Sequence, residues 1–174
     1  AGYMYGTSGT STYALTHANT NSSTIKKALD NWYKTNLISY SSLIADSGFC
    51  GDRSLASGLG YGKNQTQYGV YNRLKNNKEP QFVCPQNNDL YTTLTATKGN
   101  KSLTYPIGLI TADEVAYAGG VNVSNNNYYL LNGSMFWTMS PYDFSSSAYV
   151  SIVYDDGLRH RGTLIADNAQ ISSS

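Results

Sequence analysis

Ala148-Tyr149-Val150-Ser151-Ile152-Val153-Tyr154-Asp155-Asp156-Gly157-Leu158 is the stretch that sets the fold class. Val150, Ile152 and Tyr154 alternate with Tyr149, Ser151 and Val153, which is the two-residue period of a strand rich in β-branched and aromatic side chains. Asp156-Gly157 reads as a tight turn, because glycine supplies the positive φ that a two-residue hairpin needs. Leu158 onward then returns as the partner strand. Just upstream, Met135-Phe136-Trp137-Thr138-Met139 reads as a buried strand stopped by Ser140-Pro141, since proline has no N–H to give to a ladder. Short antiparallel strands therefore gather at the C-terminal end.

The segments before them are of another kind. Ile25, Ala28, Leu29 and Trp32 recur at i, i+3, i+4 and i+7 and predict a helix over about 24–36, capped by Ser22 or Ser23. That pattern puts Trp32 in the core and Lys26, Lys27 and Asp30 toward solvent. A second, short helix is expected after Tyr105-Pro106-Ile107-Gly108-Leu109-Ile110. Thr111 is its N-cap, Asp113 and Glu114 face the positive end of its dipole, and Thr111 to Glu114 has capping-box spacing. Gly119-Gly120 ends it. Residues 46–102 hold no sustained period and are punctuated by Gly48, Gly51, Gly58, Gly60, Gly62 and Gly69. The class is α+β, in one domain over 1–174.

Only 13% of the 174 residues are charged and the net charge is +1, so there is no broad field for nucleic acid or an acidic membrane surface. The polar surface is left to Ser, Thr, Asn, Gly and the 16 tyrosines. No run approaches the roughly 18–20 apolar residues of a membrane span, and Ala1-Gly2-Tyr3-Met4-Tyr5 has no signal-peptide pattern. The two cysteines, Cys50 and Cys84, lie apart from any histidine and form no Cys-x-x-Cys pair. We read them as a disulfide that staples the irregular region, worth roughly 3–4 kcal/mol on the chain-entropy model; two separate buried thiols are the alternative. A disulfide favours an exported protein.

Chemistry-bearing motifs are missing. His17 and His160 have no second ligand at metal spacing, and no nucleophile elbow, phosphate loop, dinucleotide fingerprint or EF-hand occurs. The expectation is a non-enzymatic chain without cofactor or metal.

Five strings stand out together: Leu29-Asp30-Asn31-Trp32-Tyr33; Gly48-Phe49-Cys50-Gly51-Asp52-Arg53; Tyr68-Gly69-Val70-Tyr71-Asn72-Arg73-Leu74; the run from Leu103 to Glu114; and Trp137-Thr138-Met139-Ser140-Pro141. As a set they resemble surface domains of gut Gram-positive bacteria, often attached to a pilin-like N-terminal helix. Those domains are similar to the C-type lectin and formylglycine-generating-enzyme fold. The resemblance implies a C-type lectin-like fold with two helices, a long disulfide-stapled loop region and a small C-terminal antiparallel sheet. The pilin-like helix is missing, and the chain stops at Ile171-Ser172-Ser173-Ser174 where relatives continue with Gly-Val-Arg-Pro-Val, so it reads as a trimmed fragment. Glu79-Pro80-Gln81 and Trp137-Thr138 depart from the calcium-lectin motifs, and calcium-mediated sugar recognition is not implied.

The same fold hosts the variable proteins of diversity-generating retroelements. Adenine randomisation of Asn codons gives codons that cannot encode Lys, Glu, Gln, Met or Trp. Those types make up about one residue in nine of the chain, yet none occurs from Pro141 to Ala169. Lys also ends at Lys101, while Arg159 and Arg161 appear later. A strand-rich stretch that disfavours Lys and Glu would look the same.

Tyr142, Asp143, Tyr149, Ser151, Ile152, Tyr154, Asp155, Arg159, His160 and Arg161 form the expected ligand-binding set. Aromatic anchors beside adaptable polar groups and arginines are the chemistry of paratopes. Alternation separates Tyr149 and Ser151 from Ile152 and Tyr154, so the set cannot all be exposed together. The expected partner is a host or microbial surface protein or glycan, met at a bacterial cell surface or phage particle, with no nucleic acid and no direct membrane insertion. Two other readings stand beside this one: a structural pilin-like subunit, and an enzyme of the formylglycine-generating type.

Overall fold

The computed structural model describes residues 19, 24–60, 63–120, 128–130, 132–145, 148–153, 159–165 and 170–172, with Thr24, Ala148 and the last two stretches described by backbone alone. Helix α1 spans Thr24–Asn36, as the apolar spacing predicts; Ser22 and Ser23 lie outside the described residues. Its buried side is rotated from the expected stripe. Lys26 and Tyr33 are buried, while Trp32 is 52% exposed and Ala28 is exposed. At about 100° per residue, the ladder Ile25, Leu29, Tyr33, Leu37 drifts away from Ala28 and Trp32. The choice between adjacent aromatics is made by a distant residue. Tyr33 stacks on Tyr105 with ring centroids 4.9 Å apart. Lys26, expected in solvent, pairs one turn on with Asp30. A six-residue 3-10 turn, Ile38–Leu43, follows and buries none of its side chains.

The irregular region carries short elements. Strand β1 (Phe49–Cys50) pairs antiparallel with β4 (Leu90–Tyr91) as a separate two-stranded sheet. Cys50 and Cys84 form a disulfide across a sequence separation of 34. Between them lie the hairpin strands β2 (Leu55–Ser57) and β3 (Thr66–Tyr68), then a helix absent from the sequence reading. This is α2, Gly69–Tyr71, which continues as a π-helix over Asn72–Asn77 and ends at Lys78 in the left-handed region. It has no amphipathic stripe to betray it. Val70 and Leu74 alone are buried, against Ala112, with Ala116 and Tyr142 packed on the cluster.

Helix α3, Ala112–Tyr117, has the expected start. Glu114 N–H donates to Thr111 Oγ1 at 3.1 Å, and Thr111 N–H donates to Glu114 Oε2 at 2.7 Å. Gly119, at φ 104°, ends it. The second sheet has six strands in the order β2-β3-β5-β6-β7-β8, all neighbours antiparallel, where β5 is Phe136–Phe144, β6 Ala148–Val153, β7 Arg159–Ile165 and β8 Gln170–Ser172. The molecule is α+β with two antiparallel sheets and one disulfide. Two departures matter. The larger sheet is not purely C-terminal, because β3 pairs with β5 through Thr66–Phe144 and Gln67–Asp143. Pro141 also does not stop its strand. The β5–β6 register slips on either side of the Pro141–Val150 pair, and such slips are how a strand accommodates a residue without an N–H. The stretch is also less buried than expected: Met135 is exposed and Phe136, Trp137 and Met139 are half-buried. The Asp156-Gly157 turn lies outside the described residues.

Candidate ligand-binding face

Register sorts the expected site residues into two rows. Tyr149, Ser151 and Val153 pair with Thr163, Arg161 and Arg159, and Tyr149 also pairs with Asp143, which pairs with Gln67. Paired residues share a sheet face, so Gln67, Asp143, Tyr149, Ser151, Arg161 and Thr163 belong to one row. Val150 and Ile152 belong to the other, with Ile152 opposite His160. The first row is polar apart from Val153, which is buried beside Arg159, and the second is core. Tyr149 and Gln67 are half-exposed, while their row neighbours Ser151 (5%) and Asp143 (8%) are buried. Ile152, at 1% exposed, is a core residue and offers a ligand no surface; its strand neighbours on both faces, Val150 and Val153, are equally enclosed. Tyr154 and Asp155 lie outside the described residues, and Arg159, His160 and Arg161 are placed by backbone register alone.

Tyr142 reaches a different setting from its neighbours. Between the Pro141–Val150 and Asp143–Tyr149 pairs, β5 advances two residues while β6 advances one. Tyr142 is the extra residue of a bulge, the device that re-aims a side chain at a sheet. It packs on the Val70–Leu74–Ala112 cluster, and its ring lies 4.8 Å from that of Tyr71 at 56°. Lys75 Nζ, one turn along the π-helix, lies 4.8 Å from the Tyr71 ring centroid. Tyr71 and Lys75 are the neighbours that sequence reasoning missed. Their signal was faint, a Tyr and a Lys four residues apart with no periodic run around them.

Two ion-pair systems hold the surrounding loops. Arg73 donates from Nε and Nη2 to the two carboxylate oxygens of Asp113, at 2.9 and 2.7 Å, and from Nη1 to Asp52 at 2.8 Å. The same Asp113 accepts Gln81 N–H at 3.0 Å. Burial alone would lower the Arg73 pKa, but the hydrogen bonds and charges of Asp113 and then Asp52 outweigh it and raise the guanidinium above its ordinary value. Arg73 thus ties the π-helix to the first turn of α3, where the acidic pair does more than complement a dipole. Deeper still, Arg53 and Asp89 are both fully enclosed. Asp89 accepts Arg53 Nε and N–H, each at 2.8 Å, and Arg53 Nη2 and the Tyr91 hydroxyl both donate to Asn19 Oδ1. Both systems are frameworks, with every carboxylate engaged by a guanidinium.

Among the described residues no group of three or more His, Cys, Asp or Glu is placed to hold a metal, and no helix is long and apolar enough to cross a membrane. Compared with protein-family models, with curated proteins and with solved structures, the chain matches none.

Proposed function

We propose that this chain is a non-enzymatic, C-type lectin-like ligand-recognition domain displayed outside a bacterial cell or on a phage particle. Its binding face is the polar row of the six-stranded sheet, centred on Tyr149 with Arg161 and Arg159, and extended at the bulge by Tyr142. The observation that carries this reading is the register of β6 and β7, which puts half-exposed Tyr149 in one row with Ser151, Thr163, Arg161 and Arg159, opposite the row of Val150 and Ile152; Val153, in the first row beside Arg159, is buried. Asp143 and Ser151 belong to that row but are buried, and Ile152 and His160 leave the contact set. The disulfide fits a compartment outside the cytoplasm. We include in the proposal that residues 140–165 are a diversified segment, because it lacks all five residue types that adenine randomisation of Asn codons cannot produce.

Sequencing this gene region from many cells of the source population tests the diversified segment. Differences clustered in codons 140–165 at template adenines support it; a segment as constant as 24–36 overturns it and leaves a fixed-ligand adhesin or a structural subunit. Binding to arrays of surface proteins and glycans tests the face. It is expected to survive chelation and to fall about tenfold or more in Tyr149→Ala or Arg161→Ala; binding unchanged in both variants removes this face. A second reading, a structural subunit of a surface filament, draws on the exposed apolar side chains Trp32, Ile38, Tyr40 and Leu43 of α1 and the 3-10 turn after it. Concentration-dependent self-association lost in Leu43→Ser would favour it.

A further inference from the structure

We infer that Asn132 is a self-modifying site: its side-chain amide is converted to an acid by the backbone nitrogen of Gly133, leaving an isoaspartyl link in the main chain. The chemistry needs only water and is independent of what the sheet binds. Its product lies just before β5, the strand between β3 and β6.

Three observations select this residue. First, Asn132-Gly133 is the one Asn-Gly pair in the sequence, and glycine has no Cβ to crowd its nitrogen. Second, the place is open. Asn132, Gly133 and Ser134 are all exposed, and a Cβ at Gly133 would have no neighbour within 4 Å. Among the described residues the Gly133 N–H enters no hydrogen bond. Third, the amide is poised. Ser134 N–H donates to Asn132 Oδ1 at 3.0 Å, an Asx turn whose closed ring contains the Gly133 nitrogen and folds the side-chain amide back along the chain. The same N–H sits on the oxygen where negative charge collects when Cγ is attacked, as an oxyanion donor does. Gly133 holds the turn at φ 73°, where a side chain is costly.

The step balances without any oxidant. Base removes the Gly133 amide proton, and the nitrogen attacks Asn132 Cγ. The bond from Cγ to Nδ2 breaks, ammonia leaves with a proton, and a five-membered succinimide closes. Water then opens that ring. Breaking the bond from the nitrogen to Cγ restores the main chain with an aspartate at 132. Breaking the bond from the nitrogen to the main-chain carbonyl carbon leaves isoaspartate, with the chain running through the former side chain.

Asn100 is a built-in control. Ser102 N–H donates to Asn100 Oδ1 at 3.1 Å and the intervening Lys101 has φ 59°, so the same turn recurs in a second Asn-x-Ser string. There the attacking nitrogen is flanked by a lysine side chain. The leaving group is also held, because Asn100 Nδ2 donates to the main-chain oxygen of Asn88 at 2.9 Å. One turn is free to react and its twin is tied down. At Asn132 the new carboxylate cancels the formal net charge of +1, and the isoaspartyl link adds a methylene to the backbone that enters β5.

Incubation of the intact protein in heavy-oxygen water at mildly alkaline pH, with and without urea, tests the proposal. Samples are cut with pepsin in acid, where the reaction stops, and the peptides are read by mass spectrometry with electron-transfer fragmentation. The expected result is a peptide in which 132 has exchanged NH2 for a solvent-derived OH, as a mixture of aspartate and isoaspartate. Gly133→Ala is expected to slow the conversion about tenfold, the order that a Cβ in the left-handed region costs; the loop is exposed, so this variant keeps the fold. Asn100 is expected to convert in urea and to persist in the folded protein. No acid at 132, aspartate without isoaspartate, or a parent-like rate in Gly133→Ala overturns the self-modification. Conversion at 132 that is slower in the folded protein than in urea, or matched by Asn100 in the folded protein, overturns the role of the turn.

Discussion

Tyr91 shows how much a single enclosed hydroxyl controls here. Burial pushes its pKa up, the Arg53 charge pulls it back, Asp89 raises it again, and it settles at about 12, against roughly 10 in an unfolded chain. A pKa raised by folding contributes stability that is complete below the unfolded value and is lost as pH rises through the folded one. Between pH 10 and 12 the protein is therefore expected to lose roughly 2–3 kcal/mol through Tyr91 alone. Urea unfolding of the parent and of Tyr91→Phe checks this. The parent should be the more stable below pH 10, and its advantage should shrink toward pH 12; a constant gap would contradict the enclosed hydroxyl. Its partners were invisible in the sequence. Arg53 and Asp89 are separated by 36 positions, and in a chain with few charges nothing local marks them as a pair.

Elements were legible where a local rule sufficed. The Thr111–Glu114 spacing located the start of α3 because a capping box is made within four residues. Thr111→Ala is expected to cost about 1 kcal/mol, read as a fall of roughly 2–4 °C in melting temperature for a chain of this size. Helix α1 was also legible, but its orientation was not, because Trp32 and Tyr33 compete for one core position and Tyr105 decides between them. Pro141 misled for a physical reason: the rule that proline ends a strand assumes a regular ladder, and β5 is bulged. The helix at 69–77 was illegible, since Arg73 and its two carboxylates hold it where an apolar stripe ordinarily would. Of the candidate site, the alternation separating Tyr149 and Ser151 from Ile152 was readable. The burial of Ser151 and Asp143 was not, because it depends on what covers the sheet.

At the scale of the whole molecule, the disulfide and the large sheet overlap. Strands β2 and β3 lie between Cys50 and Cys84 in sequence, yet β3 pairs with β5, beyond that covalent loop. The hairpin tip between β2 and β3 exposes Lys63, and the π-helix end exposes Lys75 and Lys78, all accessible to trypsin and all between the two cysteines. A cut after any of them leaves Cys50 on one fragment and Cys84 on the other. The nicked protein is expected to migrate as a single species until a reductant is added and as two thereafter, which gel electrophoresis with and without thiol will show. A break after Lys75 or Lys78 would thus turn this one-chain protein into a covalent two-chain one, with β3 on one fragment able to stay paired to β5 on the other.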